Sequence, residues 1–430
     1  MFSLRYANER NSARFQFMRL CGWLQGKKVV ALRSDPEACA RVLASSNTKG
    51  QFIEQLIACP AWLPVFSIES VDGDEWRYLA KNFRDVYARL DWQRKIGPLT
   101  RAHVEAFAQR AREDDSFILD AEQISRVTAN IFFELVFGRV MTRYEEDVFY
   151  RASLEWRKEI AIKASGSKAV KTQFWSLLTE LIEASPFAAD FQAHSERRDM
   201  FLSVFAQPLI LSPQINFSDI FSTVFRQLRK EPALMTRAVR AAESGEIEFL
   251  RNICLEAIRL EHPFPVLERE MTNDLTVGNT VLEAGTQVFI MLDEFQQDAT
   301  FDPDRWTKGT QNPYRSMPFG AGPRVCLGKA LAQEMLGELL AGILGHFPME
   351  QVRPSENHLF SGRDNDGKDT LRTSIYQLRI FGDVLARSFG YRRARGRGAC
   401  PFTGQQAATG STAELGATPP SAQVSIHELH

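Results

Sequence analysis

The sequence of 430 residues lacks several features that would place it in a specialised class. Its six cysteines form no CxxC pair and have no metal-type spacing, which argues against a disulfide scaffold or a zinc module and indicates reduced thiols. No run of about 18 apolar residues occurs, so we predict no membrane span. The first residues carry no apolar core of a signal peptide. From these absences we expect a cytoplasmic protein.

An excess of charge of one sign is also missing. Lys and Arg number 52 against 53 Asp and Glu, so the formal net charge is -1. This balance gives no electrostatic reason for a nucleic-acid partner, and we predict none. Phenylalanine is abundant, with 31 Phe against 8 Tyr. That bias fits an apolar core or a cavity for a hydrophobic ligand.

Apolar spacing predicts a mainly α protein with small β-sheets. Apolar residues recur every three or four positions over residues 74–260, which predicts a long series of helices. Alternating runs separated by turn residues predict hairpins at 17–35 and 266–292, and a helix after Leu327 followed by a few short strands. Breaks between the helices are predicted near Gly97-Pro98, Gly166, Ser185-Pro186, Ser212-Pro213 and Glu231-Pro232.

The composition changes near residue 383. Residues 387–397 contain five Arg, and the stretch that follows is rich in Gly, Ala, Ser, Thr, Gln and Pro. Such a segment buries too little apolar area to offset its chain entropy. We therefore predict one folded domain over 1–382 and a disordered tail over 383–430.

One loop carries the strongest chemical signal. Residues 318–328 read Pro-Phe-Gly-Ala-Gly-Pro-Arg-Val-Cys-Leu-Gly, and a predicted helix follows. Gly320 and Gly322 allow tight turns and close approach to a flat group. Cys326 stands at a helix amino terminus, where the dipole favours the thiolate, and Arg324 lies beside it. A thiolate in a glycine-lined loop is what axial ligation of haem iron requires.

This loop resembles the haem-binding signature of the cytochrome P-450 superfamily. The match is Phe319-Gly320-x-Gly322-x-Arg324-x-Cys326-x-Gly328, and similarity extends over roughly residues 15–382. The resemblance implies the cytochrome P-450 fold in a single haem domain, with haem b as cofactor and Cys326 as the axial thiolate ligand. It also implies that Phe319, Gly320 and Gly322 lie against the haem.

The resemblance implies a structural cluster and a set of cations for the haem propionates. Cys254-Leu-Glu256-Ala-Ile-Arg259 is similar to the family's E-x-x-R motif, and the segment 301–306 resembles the one whose Arg completes a Glu-Arg-Arg cluster. Arg324 and Arg269 match propionate arginines. A third should follow Trp76 by four residues, but alanine stands there. We therefore expect Lys81 or Arg84 to replace it.

The helix opposite the cysteine departs from the family pattern. Family spacing places Ser212-Pro213-Gln214-Ile215-Asn216 where an acid and an alcohol relay protons to bound oxygen. Ile215 cannot relay a proton, whereas Asn216 can both donate and accept a hydrogen bond. We therefore name Asn216 as the candidate catalytic residue, in a helix that we expect Pro213 to kink.

Three functions remain open at this point. The resemblance favours a monooxygenase that acts on a small hydrophobic substrate, such as a lipid or a terpenoid-like metabolite. Electrons would come from a ferredoxin- or flavodoxin-type donor with an NAD(P)H-dependent reductase, docking near Arg315, Arg324 and Lys329. The altered helix leaves two alternatives, an O₂-independent peroxygenase or isomerase and a haem-binding protein without catalysis.

Overall fold

The computed structural model describes the greater part of residues 19–353. The described residues are 19–20, 22–23, 26–32, 36–45, 48–49, 68, 71–114, 117–160, 167–264, 266–292, 300–307 and 318–353. The predicted strands after the last helix, the predicted tail, the break at Gly166 and Arg315 lie outside them. The extent of the predicted domain and of its tail therefore stays a prediction.

Helices dominate the described part of the chain, as predicted. They are α1 (Pro36–Ser45), α2 (Gly73–Arg89), α3 (Trp92–Arg112), α4 (Ala121–Phe137), α5 (Arg143–Ile160), α6 (Lys168–Glu183), α7 (Ala188–Ala193), α8 (Arg198–Phe205), α9 (Ser212–Lys230), α10 (Pro232–Ser244), α11 (Ile247–Leu260) and α12 (Lys329–His346). The breaks predicted at Ser185-Pro186 and Glu231-Pro232 are confirmed. Short 3-10 turns cover Pro303–Trp306 and Gly322–Arg324.

The break predicted at Ser212-Pro213 is wrong. A π-helical segment, Ala206–Leu211, joins α8 to α9, so the helix runs on through Pro213. Pro208 and Pro213 have no backbone N–H to donate to the helix. Because the regular i→i−4 hydrogen-bond pattern is already interrupted in a π-helical turn, the helix can contain both prolines without a break. The wider turn takes the place of the expected break, and it lies beside the cavity described below.

The break predicted at Gly97-Pro98 is also wrong, since both residues lie within α3. The chain turns earlier, at Asp91, whose φ of 48° is in the left-handed region and separates α2 from α3. Pro98 comes soon after the first turn of α3, and its neighbour Ile96 is fully buried. Burial of this face outweighs the one backbone hydrogen bond that the proline removes.

Two small sheets accompany the helices. β1 (Val29–Leu32), β5 (Gln287–Met291) and β2 (Val266–Glu270) form one sheet in that order, with β5 parallel to β1 and antiparallel to β2. β3 (Leu275–Val277) and β4 (Thr280–Leu282) form a hairpin. The β structure predicted for 266–292 is thus confirmed.

The hairpin predicted at 17–35 is wrong. Of the described residues before β1, 19–20 and 22–23 have helical backbone, and 26–28 form a turn and its continuation without a strand. β1 pairs with β5, where Val29 aligns with Gln287 and Leu32 with Ile290. β1 therefore pairs with a strand distant in sequence and not with a neighbouring strand of a hairpin. The reason is that β5 provides fully buried residues, which include Val288 and Ile290, for β1 to pack beside.

The long π-containing helix passes through the centre of the core. α9 packs against α4 and α11, and α12 packs against α3 and α11. Phe205, Phe221 and Val224 are fully buried along this helix, so many of the abundant phenylalanines serve as core. Among the described residues, no helix combines the length and the apolar character needed to cross a bilayer.

Candidate haem site

The cysteine loop is held in shape by its own backbone. The N–H of Cys326 donates to the carbonyl of Phe319 at 2.9 Å, and the N–H of Lys329 donates to the carbonyl of Cys326 at 3.2 Å. Gly320 and Gly322 have φ values of 70° and 69°, a backbone conformation that residues with a side chain rarely adopt. These contacts leave the Cys326 side chain exposed at the amino terminus of α12.

Gly322 has a second reason to be glycine. A Cβ atom there would overlap the backbone carbonyl of Leu43, near the end of α1. The loop and α1 therefore touch through their backbones. Replacing Gly322 would both strain the loop and separate it from α1.

A cavity of about 380 Å³ lies against this loop. Its walls come from α2, the π-helical segment, the start of α9, the end of α11 and the start of α12. Apolar side chains dominate the walls, and none of the described residues that line them is an Asp or a Glu. Among the predicted site residues, those on the walls are Trp76, Asn216, Arg269, Phe319, Gly320, Arg324 and Cys326.

Arg324 is anchored at the edge of the cavity. Its guanidinium lies over the Trp76 ring at 4.8 Å, forms an ion pair with Asp72 and donates to the carbonyl of Val71 at 3.0 Å. Asp72 also accepts from the N–H of Lys49 at 2.9 Å. The arginine that contacts the Trp76 ring therefore comes from the cysteine loop. α2 itself has Ala80 at the position where the family has an arginine.

Arg269 is a buried cation that faces the same cavity. Only 3% of its surface is exposed, its Nη1 donates to the carbonyl of Glu268 at 2.6 Å, and its Nε has no hydrogen-bond partner. Burial lowers the pKa of Arg269 to about 10, and the positive charge of Arg324 contributes to this lowering. Two adjacent cations, one incompletely bonded, form a pocket suited to an anionic group.

Lys81 and Arg84 do not reach this pocket, which corrects our expectation for them. Lys81 has a side chain 76% exposed and pairs with Asp85 at 3.5 Å, and Arg84 is exposed. Neither lines the cavity, because the cavity face of α2 carries Trp76 and Phe83. Lys81 and Arg84 are close in sequence to position 80, where the family arginine is absent, but they lie on another face of α2.

The predicted carboxylate–arginine cluster is assembled around Glu256. This side chain is fully buried and accepts from Arg259 at 2.8 and 2.9 Å, from Arg305 Nε at 3.0 Å and from Trp306 Nε1 at 2.8 Å. The N–H of Asp302 also donates to it at 2.9 Å. Glu256 therefore connects α11 to the 301–306 segment.

Asn216 lines the same cavity as the cysteine loop. Its Nδ2 donates to Ser212 Oγ at 2.9 Å, while its Oδ1 is enclosed and has no hydrogen-bond partner. Ile215 is buried in the core, and Asp219 pairs with Arg157 at 3.4 Å away from the cavity. Asn216 is therefore the polar side chain that this part of α9 offers to the cavity, together with Ser212.

His262 was not anticipated from the sequence, which contains no motif around it. Its Nδ1 accepts from the N–H of Phe264 at 2.9 Å, and its Nε2 lies 3.0 Å from the carbonyl of Pro318. Burial lowers the pKa of His262 to about 4, so the ring is neutral and Nε2–H donates to Pro318. His262 thus ties the end of α11 to the start of the cysteine loop.

Known proteins are similar to this chain in sequence and in fold. A family model described as Cytochrome P450 matches residues 223–363. Cytochrome P450 4d2 of Drosophila melanogaster is 29% identical over 307 residues, which cover 66% of this chain and 56% of that protein. A cytochrome P450 from Thermus thermophilus superposes with a TM-score of 0.57 at 17% identity, covering 77% of this chain and 89% of that one.

The chain belongs to the cytochrome P450 superfamily. The family-model match includes the α11 cluster and the cysteine loop, and the structural match extends over 77% of the chain. Beta-amyrin 6-beta-monooxygenase of Solanum lycopersicum is another similar protein, 30% identical over 207 residues that cover 43% of this chain and 42% of that protein. The chain thus spans about half the length of these curated relatives.

Membership in the family implies haem with a cysteine thiolate ligand, and the residues of this P450 fit that group. Cys326 is exposed beside the cavity, and Gly320, which has no side chain, lies on the cavity wall and leaves room for a flat ring. Gly322, which we expected against the haem, does not line the cavity and instead contacts Leu43 of α1. Arg269, with its incompletely bonded guanidinium, fits a propionate, and Arg324 lies close enough to share the charge.

We expect Arg269→Met to weaken haem binding by about 10- to 150-fold, because the loss of one charge-assisted hydrogen bond costs about 1.5–3 kcal/mol. Haemin titration of the apoprotein measures the effect. Arg84→Met is the matched control, since Arg84 is exposed and does not line the cavity. Equal affinity of the two variants would contradict a propionate role for Arg269.

Proposed function

We propose that this P450 is a monooxygenase that inserts one oxygen atom from O₂ into a small hydrophobic substrate of lipid or terpenoid-like character. The observation that carries the proposal is one apolar cavity that brings Cys326 and Asn216 to the same space. A similar protein is named a monooxygenase, which supports the reaction class. Bound haem would supply the oxidation chemistry, and a thiolate ligand favours cleavage of the O–O bond.

The chain's own residues exclude water and orient the substrate. Phe83, Phe132, Phe217 and Phe264 contribute apolar surface to the cavity. A cavity with this lining favours a ligand that buries hydrocarbon, at about 25 cal/mol per Å² removed from water. The shape of these walls, more than any polar contact, selects the substrate.

Asn216 handles the protons in this proposal. Its amide can accept through Oδ1 and donate through Nδ2, so it can hold a water molecule or a substrate hydroxyl in the cavity. Ser212, its partner at 2.9 Å, extends this polar pair by one hydroxyl group. Protons then reach the site through ordered water instead of through a carboxylate.

Electrons would come from a separate ferredoxin- or flavodoxin-type donor and its NAD(P)H-dependent reductase. We propose that the donor docks on the outer side of the cysteine loop, near Lys329. Arg324, which we expected on this surface, has a side chain only 6% exposed and pairs with Asp72, so it does not contribute. Reversing the charge of Lys329 should then slow reduction without changing haem content. An unchanged reduction rate would contradict this docking site.

Two measurements test the function. Reduction under carbon monoxide reports thiolate ligation, and turnover driven by NAD(P)H through donor proteins is then compared with turnover driven by peroxide. The proposal expects product with O₂ and reducing equivalents. Product from peroxide together with no product from O₂ and NAD(P)H would replace the monooxygenase with a peroxygenase.

One observation favours a second candidate, an O₂-independent peroxygenase or isomerase. Ile215 is buried at the position of the family acid, and no carboxylate lines the cavity among the described residues. A preformed peroxide or an oxygenated substrate would need less proton delivery than O₂ does. The comparison of oxidants separates this candidate from a monooxygenase, and lack of turnover with either oxidant would favour a haem-binding protein without catalysis.

We expect Asn216→Ala to lower the coupling of NAD(P)H consumption to product by about tenfold, because the cavity loses its amide for ordering a water. The measurement is product formed per NAD(P)H, with peroxide release as the complement. Ser222→Ala is the control on the same helix, since Ser222 bonds to the carbonyl of Ser218 and does not line the cavity. Coupling equal to that of the parent would show that Asn216 has no such role.

A further inference from the structure

Trp156 is a buried indole on the wall of the haem cavity. It lies near the end of α5, lines the cavity, and has only 2% of its surface exposed. α5 packs here against the π-helical segment and α9, and Arg157, the next residue, pairs with Asp219 of α9 at 3.4 Å. Because Asp219 follows Asn216 by about one helical turn, this pair fixes the indole beside the polar part of the cavity wall.

The indole N–H of Trp156 is a hydrogen-bond donor that the fold does not use. Among the described residues, none accepts from its enclosed Nε1. The N–H of a buried tryptophan ordinarily finds a partner, because otherwise it loses its hydrogen bond to water and gains none in return. Trp306 is an ordinary case, since its indole N–H donates to Glu256 at 2.8 Å. An unused donor on a cavity wall therefore indicates an acceptor that arrives with the ligand.

The rest of the cavity limits what this acceptor can be. Phe132 and Phe217, with ring centroids 6.4 Å apart, give the wall an apolar surface, where an unpaired charge would be costly. The cations of the cavity, Arg269 and Arg324, fit the haem propionates. The enclosed Oδ1 of Asn216 is an acceptor, so a ligand hydroxyl could donate to it as well. The ligand that fits is therefore mostly hydrocarbon and carries a neutral oxygen.

We propose that Trp156 is a specificity-determining residue whose indole N–H donates to a carbonyl or hydroxyl oxygen already present in the hydrophobic substrate. This inference rests on the proposed function and deepens it, because it narrows the substrate class to oxygenated lipids or terpenoids. The apolar walls select the carbon skeleton, and Trp156 discriminates among ligands that share one skeleton. A hydrogen bond at one end of the ligand also fixes its orientation in the cavity.

The test measures the binding of 2-adamantanone and 2-methyleneadamantane to the haem-loaded protein by equilibrium dialysis. The two probes have nearly the same shape, but only the ketone has an oxygen that accepts a hydrogen bond. Because the ketone also loses more hydration than the alkene, each probe is compared between parent and variant. Trp156→Phe should weaken binding of the ketone about 2- to 12-fold more than binding of the alkene, which is the range for one neutral hydrogen bond.

Trp175→Phe is the matched control. Trp175 is half-buried on α6 and does not line the cavity, so its replacement should leave the ratio of the two affinities unchanged. An equal loss for both probes in Trp156→Phe is the result expected if water takes the indole proton, and it would overturn the proposal. Failure of the parent to bind the ketone, or the same selective loss in Trp175→Phe, would also overturn it.

A second replacement covers the case in which Trp156→Phe does not retain haem. Site-specific benzothienylalanine at position 156 has sulfur in place of the N–H and nearly the same shape, so it should weaken binding of the ketone selectively. An unchanged ratio of affinities would overturn the proposal. Binding requires neither electrons nor oxygen, so failure of the monooxygenase assay would leave this result intact, and turnover without the selective loss would overturn the role of Trp156 alone.

Discussion

Cys326→Ser removes the thiolate spectrum of the reduced, carbon monoxide-bound protein and lowers turnover by more than about 100-fold. Loss of an outer partner of a metal ligand already costs about 10–100-fold, and here the ligand itself is replaced. Serine keeps the loop geometry, because the bond from the Cys326 N–H to the carbonyl of Phe319 uses only backbone atoms. The expected loss therefore reports the sulfur and not the fold.

Cys254→Ser is the control for this experiment. Cys254 is fully buried in α11, its thiol lies 3.7 Å from the carbonyl of Leu336, and burial raises its pKa far above the usual range. That thiol is an inert core group, so its replacement should leave the carbon monoxide spectrum intact. A Cys326→Ser spectrum that matches the parent's would end the assignment of Cys326 as the ligand.

Glu256→Ala should lower the free energy of unfolding by about 3–5 kcal/mol, the usual cost of removing one partner from a buried ion pair. The variant leaves the Arg259 guanidinium, whose side chain is 2% exposed, and that of Arg305 without their shared carboxylate. It also removes the acceptor of the Trp306 indole N–H. Denaturant unfolding of parent and variant measures the loss, and haem content shows whether the cysteine loop is disturbed as well.

Glu334→Ala is the matched comparison for Glu256. Glu334 pairs with Arg251 at 2.7 Å, but its side chain is 41% exposed. Exposed pairs contribute little, so we expect a loss below about 1 kcal/mol. Equal losses of unfolding free energy in the two variants would show that the Glu256 cluster does not stabilise the connection between α11 and the 301–306 segment.

The sequence predicted best where the chemistry is contiguous. The cysteine loop occupies eleven successive residues, and the pairing of Glu256 with Arg259 needs only one helical turn. Both could be inferred because the function and the geometry arise from the same short segment. The helical content followed from apolar spacing in the same way.

Features that depend on distant partners could not be inferred. β1 was assigned to a local hairpin because its partner, β5, lies far along the chain. Lys81 was expected at the haem because it is close in sequence to Trp76, whereas an arginine of the cysteine loop lies over that ring. His262 gave no signal, since its role depends on the cysteine-loop carbonyl that folding places beside it.

The backbone contact between Gly322 and Leu43 also constrains the order of assembly. During synthesis, α1 and β1 emerge long before the cysteine loop and β5 that cover them. Contacts of such sequence separation form late and slowly, because the intervening chain must first be closed into a loop. Both contacts can therefore form only after the chain has been synthesised through residue 322, so α1 and β1 reach their native surroundings late in folding.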